Sequence, residues 1–467
     1  MALLFLLLHY LTLVLLSLIS PLSSLKTHQP QQLSLSFPLS LTPLNHSHVL
    51  KNPIFASLQS NTTTNNNNRP LGVVKSSFKY TMALVVSLPI GTPPQTQQVV
   101  LDTGSQLSWI KCNNNNNNKD NNKNKQPLAE KTSLMFNPTL SSSFSALPCT
   151  HPLCKPRNPD FTLPTSCDQN RLCHYSYFYA DGTYAEGNLV REKIALSNTQ
   201  TTPPLILGCT RDSSSAEGIL GMNLGRLSFS SQTRLSKFSY CVPDRTRRNS
   251  PAGTFFLGEN PNSGKFRYVD FLKPASQRMP NFDPLAYTVG VEGIRIGGKR
   301  LNISRTAFRA DRGGAGQTIV DSGTEYTFLV AEAYGKVREE VAARAGARGR
   351  AVEKRGFVYE GALDLCYVGR AEEIGRLVGE MVFEFEKGVE IRVAAERVFT
   401  DVGGGATCLS IGRSDLLGVE SNIIGNFHQQ NLWVEFDLVN RRVGSVRPTV
   451  ADHDFGDGTC FSLGPAA

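Results

Sequence analysis

The chain has 467 residues, 40% hydrophobic and 19% charged, with 48 Lys and Arg against 39 Asp and Glu for a formal net charge of +9. That apolar content excludes a disordered chain, and the length suits two lobes with ample core better than one small domain. The charge is not the signature of nucleic-acid binding: the basic cluster Arg245, Arg247, Arg248 and the spread from Arg338 to Arg355 lack an aromatic platform and read as solvated surface.

Residues 2–19 are almost wholly apolar and are followed by Pro21 and small serines, which predicts a signal peptide over 1–24. The positive end is only the amino terminus and the run nearly spans a bilayer, so an uncleaved anchor is the alternative. No later segment has transmembrane length, and no membrane association is expected once the leader is removed. Residues 25–77 are rich in Ser, Leu, Pro and Asn, including Asn65 to Asn68, and read as a low-complexity spacer or prosegment. Ten cysteines behind such a leader imply an oxidising compartment and up to five disulfides. Cys149, Cys154, Cys167 and Cys173 lie close enough to staple one subregion. Zinc fits poorly there, because no Cys-x-x-Cys pair is present and His151 and His174 are not at finger spacing. No metal or cofactor is expected. Sequons stand at Asn45, Asn61 and Asn302, of which Asn302 falls in the expected mature enzyme.

A first lobe is expected over 78–250. It carries an apolar run, Val99-Val100-Leu101, leading into Asp102-Thr103-Gly104-Ser105, and later Ile219-Leu220-Gly221. Between them lie an asparagine-rich insertion, Asn113 to Asn118 with Asn121, Asn122 and Asn124, which has nothing apolar to pack, and a hairpin-turn signal at Asp181-Gly182. A second lobe over 251–449 opens with the strand-like Gly253 to Gly258 and repeats the order: Thr318-Ile319-Val320, Asp321-Ser322-Gly323-Thr324, then Ile423-Ile424-Gly425. A helix is predicted near Val330 to Ala345 with Tyr334, Val337 and Val341 on one face, and a hairpin from Leu432–Phe436 and Arg442–Val446. Residues 450–467 are a tail. Many short runs bounded by Gly, Pro, Asn and Ser make the whole mostly β.

One Asp-Ser/Thr-Gly is ordinary turn vocabulary. Two, each after an apolar strand and each followed later by aliphatic-aliphatic-Gly, argue for an internally duplicated, two-lobed molecule. Two such turns face to face place two carboxylates around one water. Like charges that close do not both ionise, so one group takes the water's proton while the other donates to a carbonyl oxygen. The pair titrates as a unit and works in acid.

On these motifs, with Ser87-Leu88-Pro89-Ile90-Gly91-Thr92-Pro93-Pro94-Gln95 before them and Trp433-Val434-Glu435-Phe436-Asp437 after, residues 78 to 449 resemble the pepsin-like aspartic endopeptidases. The resemblance is greater to their plant nepenthesin-like or atypical branch, and within it to the subgroup named for promoting cell survival. It implies a bilobal, pseudo-twofold β fold with the active site in the cleft and Asp102 and Asp321 catalytic. Ser105 and Thr324 would support the outer carboxylate oxygens, and Thr103 and Ser322 would lock the two loops, whose close approach needs Gly104 and Gly323. Tyr179 would be the tyrosine of a flap, with Asp181, Gly182 and Thr183 in its hairpin, and Trp109 the indole that supports it. The resemblance also pairs Cys366 with Cys408. It suggests a prosegment that lays Lys51, Arg69 or Lys75 across the dyad. The usual small staple behind Cys112 lacks its second cysteine.

The expected function is an endopeptidase acting on protein or peptide substrates, a monomer in the secretory pathway, in the endoplasmic reticulum or apoplast rather than the vacuole, with a role in development or cell survival. The alternatives are a catalytically inactive binding or inhibitor protein on the same fold, and a pair of glycosidase carboxylates, which leaves the duplicated Ser/Thr-Gly settings unexplained.

Overall fold

The computed structural model describes residues 35–43, 82–113, 135–156, 161, 164–215, 217–245, 253–273, 279–352 and 357–446. The leader, Lys51, Arg69, Lys75, the sequons at Asn45 and Asn61, most of the asparagine-rich insertion, Arg247, Arg248 and the tail lie outside the described residues.

Strand β1 (Leu35–Pro43) falls inside the stretch read above as a low-complexity spacer. It pairs antiparallel with β2 (Met82–Ile90) on one side and with the strand Gly253–Leu257 on the other. Leu35, Phe37, Leu39 and Leu41 alternate with Ser36, Pro38, Ser40 and Thr42, the period of a strand with one face against a core. Leu39 is fully buried and Phe37 packs on Phe255 with ring centroids 6.3 Å apart.

In the first lobe β2 continues into β3 (Gln95–Asp102), which ends on Asp102. Next come β4 (Trp109–Lys111), β5 (Cys173–Phe178), β6 (Tyr184–Glu192), β7 (Leu205–Ser213) and β8 (Gly218–Gly221). β9 (Lys237–Cys241) and β10 (Gly253–Leu257) lead toward the second lobe, and β11 (Arg267–Asp270) follows. The second lobe supplies β12 (Val291–Ile296), β13 (Thr318–Val320), β14 (Thr327–Leu329), helix α1 (Ala331–Ala345), β15 (Met381–Phe385), β16 (Ile411–Arg413) and β17 (Asn422–Ile424). The chain then returns through the hairpin β18 (Trp433–Asp437) and β19 (Arg442–Val446). The order β11-β19-β18-β9-β10-β1-β2 makes one continuous platform from both halves of the chain.

The duplication inferred from the motifs is a duplication of strand pairing. β3 runs parallel to β8, and β8 meets β4 antiparallel with Ile219 opposite Trp109. In the second lobe β13 runs parallel to β17, and β17 meets β14 antiparallel with Ile423 opposite Phe328. β4 and β14 then each take a parallel partner, β7 and β16, which places Gly208 beside Trp109 and Gly412 beside Phe328. The aliphatic-aliphatic-Gly runs are thus the strands that lie beside each Asp-bearing strand.

Helix α1 buries Ala333, Tyr334, Val337, Val341 and Ala345, the i, i+3/i+4 stripe of a helix laid on a sheet. Disulfides join Cys112 to Cys209, Cys149 to Cys167, Cys154 to Cys173 and Cys366 to Cys408, and Cys241 is disulfide-bonded as well. Cys112, whose expected near neighbour is missing, is bonded across 97 residues to β7. Among the described residues no helix is long and apolar enough to cross a membrane, and no cluster of His, Cys, Asp or Glu is arranged to hold a metal.

Candidate active site

Each aspartate sits where a buried strand stops and the chain turns sharply, so backbone N–H groups that the strand no longer uses point at the carboxylate. Asp102 Oδ1 accepts from the Gly104 N–H at 2.8 Å and Oδ2 from the Ser105 hydroxyl at 2.5 Å. Asp321 repeats this, with Gly323 N–H at 2.9 Å and the Thr324 hydroxyl at 2.5 Å. The turns are tied crosswise: Ser322 N–H donates to Thr103 Oγ1 at 2.9 Å, and Thr103 N–H donates to Ser322 Oγ at 3.1 Å. Ser322 Oγ in turn donates to Leu101 O at 2.7 Å. All of these bonds join groups that would be costly to bury unpaired.

The carboxylates are only 7% and 6% exposed. Burial, and after it the neighbouring Asp321 charge, push the Asp102 carboxyl well above the usual carboxylate range, against the opposing pull of the Ser105 and Gly104 hydrogen bonds.

Above the first aspartate stands the hairpin between β5 and β6. Tyr179 N–H donates to Thr183 O at 2.9 Å, and Asp181 Oδ1 closes the turn by accepting from Thr183 N–H at 2.9 Å and Thr183 Oγ1 at 2.7 Å. Gly182 takes φ +83°, a conformation glycine adopts without strain. The Trp109 indole N–H donates to Tyr179 OH at 2.7 Å, and the Tyr177 and Tyr179 rings lie 5.1 Å apart. Dyad, hairpin and second-lobe wall enclose a cavity of about 310 Å³. Cys366 and Cys408 are directly opposed on neighbouring strands and do not line this cavity, and Asn302 is exposed.

Several residues of the site carry no mark in the motif reading. Asn223 Nδ2 donates to Gly104 O at 3.3 Å and Asn426 Nδ2 to Ser322 O at 2.9 Å, one asparagine gripping each loop. The signal was available, since an asparagine follows closely on both aliphatic-aliphatic-Gly runs. Gln429 donates to Asp321 O at 3.3 Å and accepts from Tyr240 OH at 2.6 Å, a contact no local pattern announces. Asp283 lines the cleft, its carboxyl raised by burial and, less, by Asp321. Arg245, read as solvated surface, is instead paired with Glu325 at 2.7 Å, its side chain 12% exposed.

Two lobes of matched pairing, each presenting one buried aspartate to a common cleft, define the aspartic proteinase class. Two family models match the chain: Xylanase inhibitor N-terminal over residues 84–259 and Xylanase inhibitor C-terminal over residues 286–445. The aspartic proteinase PCS1 of Arabidopsis thaliana is 38% identical over 79% of this chain and 82% of its own length. The aspartic proteinase nepenthesin-1 of Nepenthes gracilis is 30% identical over 80% and 79%. The chain belongs to this plant nepenthesin-like aspartic proteinase family and is an aspartic-type endopeptidase. Basic 7S globulin from soybean shares the fold at a TM-score of 0.55, with 15% identity over 91% of this chain and 100% of that one. Conglutin gamma from lupine seeds does so at 0.59, with 15% identity over 93% and 100%.

Proposed function

We propose that Asp102 and Asp321 activate a water that attacks the carbonyl carbon of an internal peptide bond in a protein or peptide substrate. The ionised carboxylate takes the water's proton and the neutral carboxyl donates its own to the carbonyl oxygen. Collapse of the tetrahedral gem-diol then breaks the C–N bond: the carboxyl that took the water's proton passes it to the leaving amine, and the other carboxylate takes a hydroxyl proton from the gem-diol, which restores the pair. No covalent acyl intermediate forms. The observation that carries this reading is the matched support of the two carboxylates, each with one backbone and one hydroxyl donor, across an interlocked pair of loops. The extended substrate lies in the cleft beneath Tyr179, whose closure positions the scissile bond and excludes bulk water while the dyad keeps the attacking one.

The binding-protein alternative draws on the name of the two matching family models, but it does not account for two intact dyad loops. The reading also includes a monomer that works in the endoplasmic reticulum or apoplast, carries a glycan at Asn302, and acts in development or cell survival.

The test is cleavage of a denatured protein between about pH 3 and pH 7 by wild type, Asp102→Asn and Asp321→Asn. Acid-optimal cleavage that both variants lose supports the dyad, and no cleavage by the wild type favours the binding protein. Activation trials should cut within residues 44–81 and leave 35–43 with the enzyme, because removing β1 strips a partner from β2 and β10 and opens two strand edges.

A further inference from the structure

The two dyad loops differ in charge at one matched position. Gln106 follows Ser105 in the first, whereas Glu325 follows Thr324 in the second. An acidic side chain therefore stands directly after the turn of one loop, and it is buried: the Glu325 side chain is 1% exposed. Its Oε1 lies 2.7 Å from Arg245 Nη1, and its Oε2 accepts from Met82 N–H, at the start of β2, at 3.2 Å. Arg245 comes from the segment that leaves β9 for the second lobe. Its other terminal nitrogen, Nη2, donates to Asn426 Oδ1 at 2.7 Å, its backbone N–H donates to Gln430 Oε1 at 2.8 Å, and its guanidinium lies 5.2 Å from the centre of the Phe427 ring.

This geometry settles which way the Asn426 amide points. With Oδ1 held by a guanidinium that can only donate, the NH₂ end is turned onto Ser322 O, the residue after Asp321. Asn426 N–H also donates to Thr324 O and Phe427 N–H to Glu325 O, both at 2.8 Å. In the first lobe the same orientation of Asn223 is set by a plain backbone N–H, that of Gly225, on its Oδ1 at 2.8 Å. The second lobe replaces that local contact with a cation delivered by the connection between lobes.

We propose that Arg245 and Glu325 form a positioning brace: the planar fork of Arg245 grips Glu325 and Asn426 together, and so fixes the Asp321 loop relative to β2 and the interlobe connection. Neither residue touches the reacting atoms. A lysine keeps the charge but, as a point donor, does not hold both partners in the bidentate geometry of the guanidinium. The inference rests on the dyad reading above.

The experiment compares wild type, Arg245→Lys, Arg245→Gln and Glu325→Gln on one fluorogenic peptide at the acid optimum. Active sites are titrated with a transition-state analogue, and thermal unfolding is measured alongside. A displaced Asp321 loop weakens the transition state more than substrate binding, so Arg245→Lys should lower kcat about tenfold with KM within twofold and the folded fraction intact. The glutamine variants should fall further. Should those two fail to fold, the charge-conserving lysine variant still decides. Full kcat per titrated site in Arg245→Lys overturns the brace while leaving the dyad untouched; absence of dyad-dependent cleavage in wild type overturns the dyad reading, and the brace with it.

Discussion

Gly323 presses so closely on Asp102 that a Cβ at residue 323 would fall 2.3 Å from Asp102 Oδ1, and the reciprocal Cβ at Gly104 would fall 2.9 Å from Asp321 Oδ2. The glycines are where each loop lets its backbone meet the opposite carboxylate. Gly323→Ala should therefore abolish cleavage, by at least about 100-fold in kcat/KM, since even about 1 Å of misplacement costs that much. Gly104→Ala should be milder, because its clash is smaller. Steady-state kinetics on folded, titrated enzyme decides, and equal losses in the two variants would contradict the asymmetry.

Ser105 tunes the dyad through its 2.5 Å bond to Asp102 Oδ2. That bond favours the ionised form, and burial favours the neutral one. Removing the hydroxyl in Ser105→Ala should let the pair hold its proton to higher pH, moving the alkaline limb of kcat/KM upward by about half to one pH unit. A limb that moves to lower pH would reverse the sign assigned here.

The Trp109 indole and the Tyr179 hydroxyl act as one unit at 2.7 Å. Trp109→Phe and Tyr179→Phe should each reduce kcat/KM by roughly tenfold, about 1.4 kcal/mol, in the range of one buried hydrogen bond. The double variant should be little worse than either single one. Additive losses in the double-mutant cycle would mean the two residues act separately.

His428 makes acid costly to the fold. It is buried between Thr327 Oγ1 at 2.7 Å and Ser410 Oγ at 2.9 Å, and burial, with Arg245 and Arg397 adding to it, lowers its pKa to about 3. The unfolded chain protonates this residue near pH 6.5, so stability is complete above that pH. It falls as pH drops toward 3, by up to about 1.4 kcal/mol per pH unit. Denaturant unfolding from pH 3 to pH 7 should show a shallower acid loss in His428→Gln than in wild type. Parallel slopes would remove His428 from the account.

Much of this molecule is legible in one dimension because its chemistry is carried by contiguous residues. Asp102 to Ser105 and Asp321 to Thr324 are four-residue turns whose carboxylates take their donors from residues two and three positions on, and such local bonds are written in order along the chain. The same holds for α1, whose buried stripe is a period, and for the β18–β19 hairpin. The alternation in Leu35 to Pro43 was equally visible, but a strand needs edges to pair with, and only the fold shows β2 and β10 on either side of it. Trp109 and Tyr179 are 70 residues apart, and Arg245 and Glu325 are 80 apart. Whether a cation is solvated surface or a buried brace depends on what lies around it after folding, and a run of arginines reads the same in either case. The sequence by itself therefore determined the mostly β class and the duplicated order of strand, Asp-Ser/Thr-Gly turn and aliphatic-aliphatic-Gly run. The tertiary structure alone decided which distant side chains hold those loops in place, because burial and hydrogen-bond geometry are properties of where segments meet.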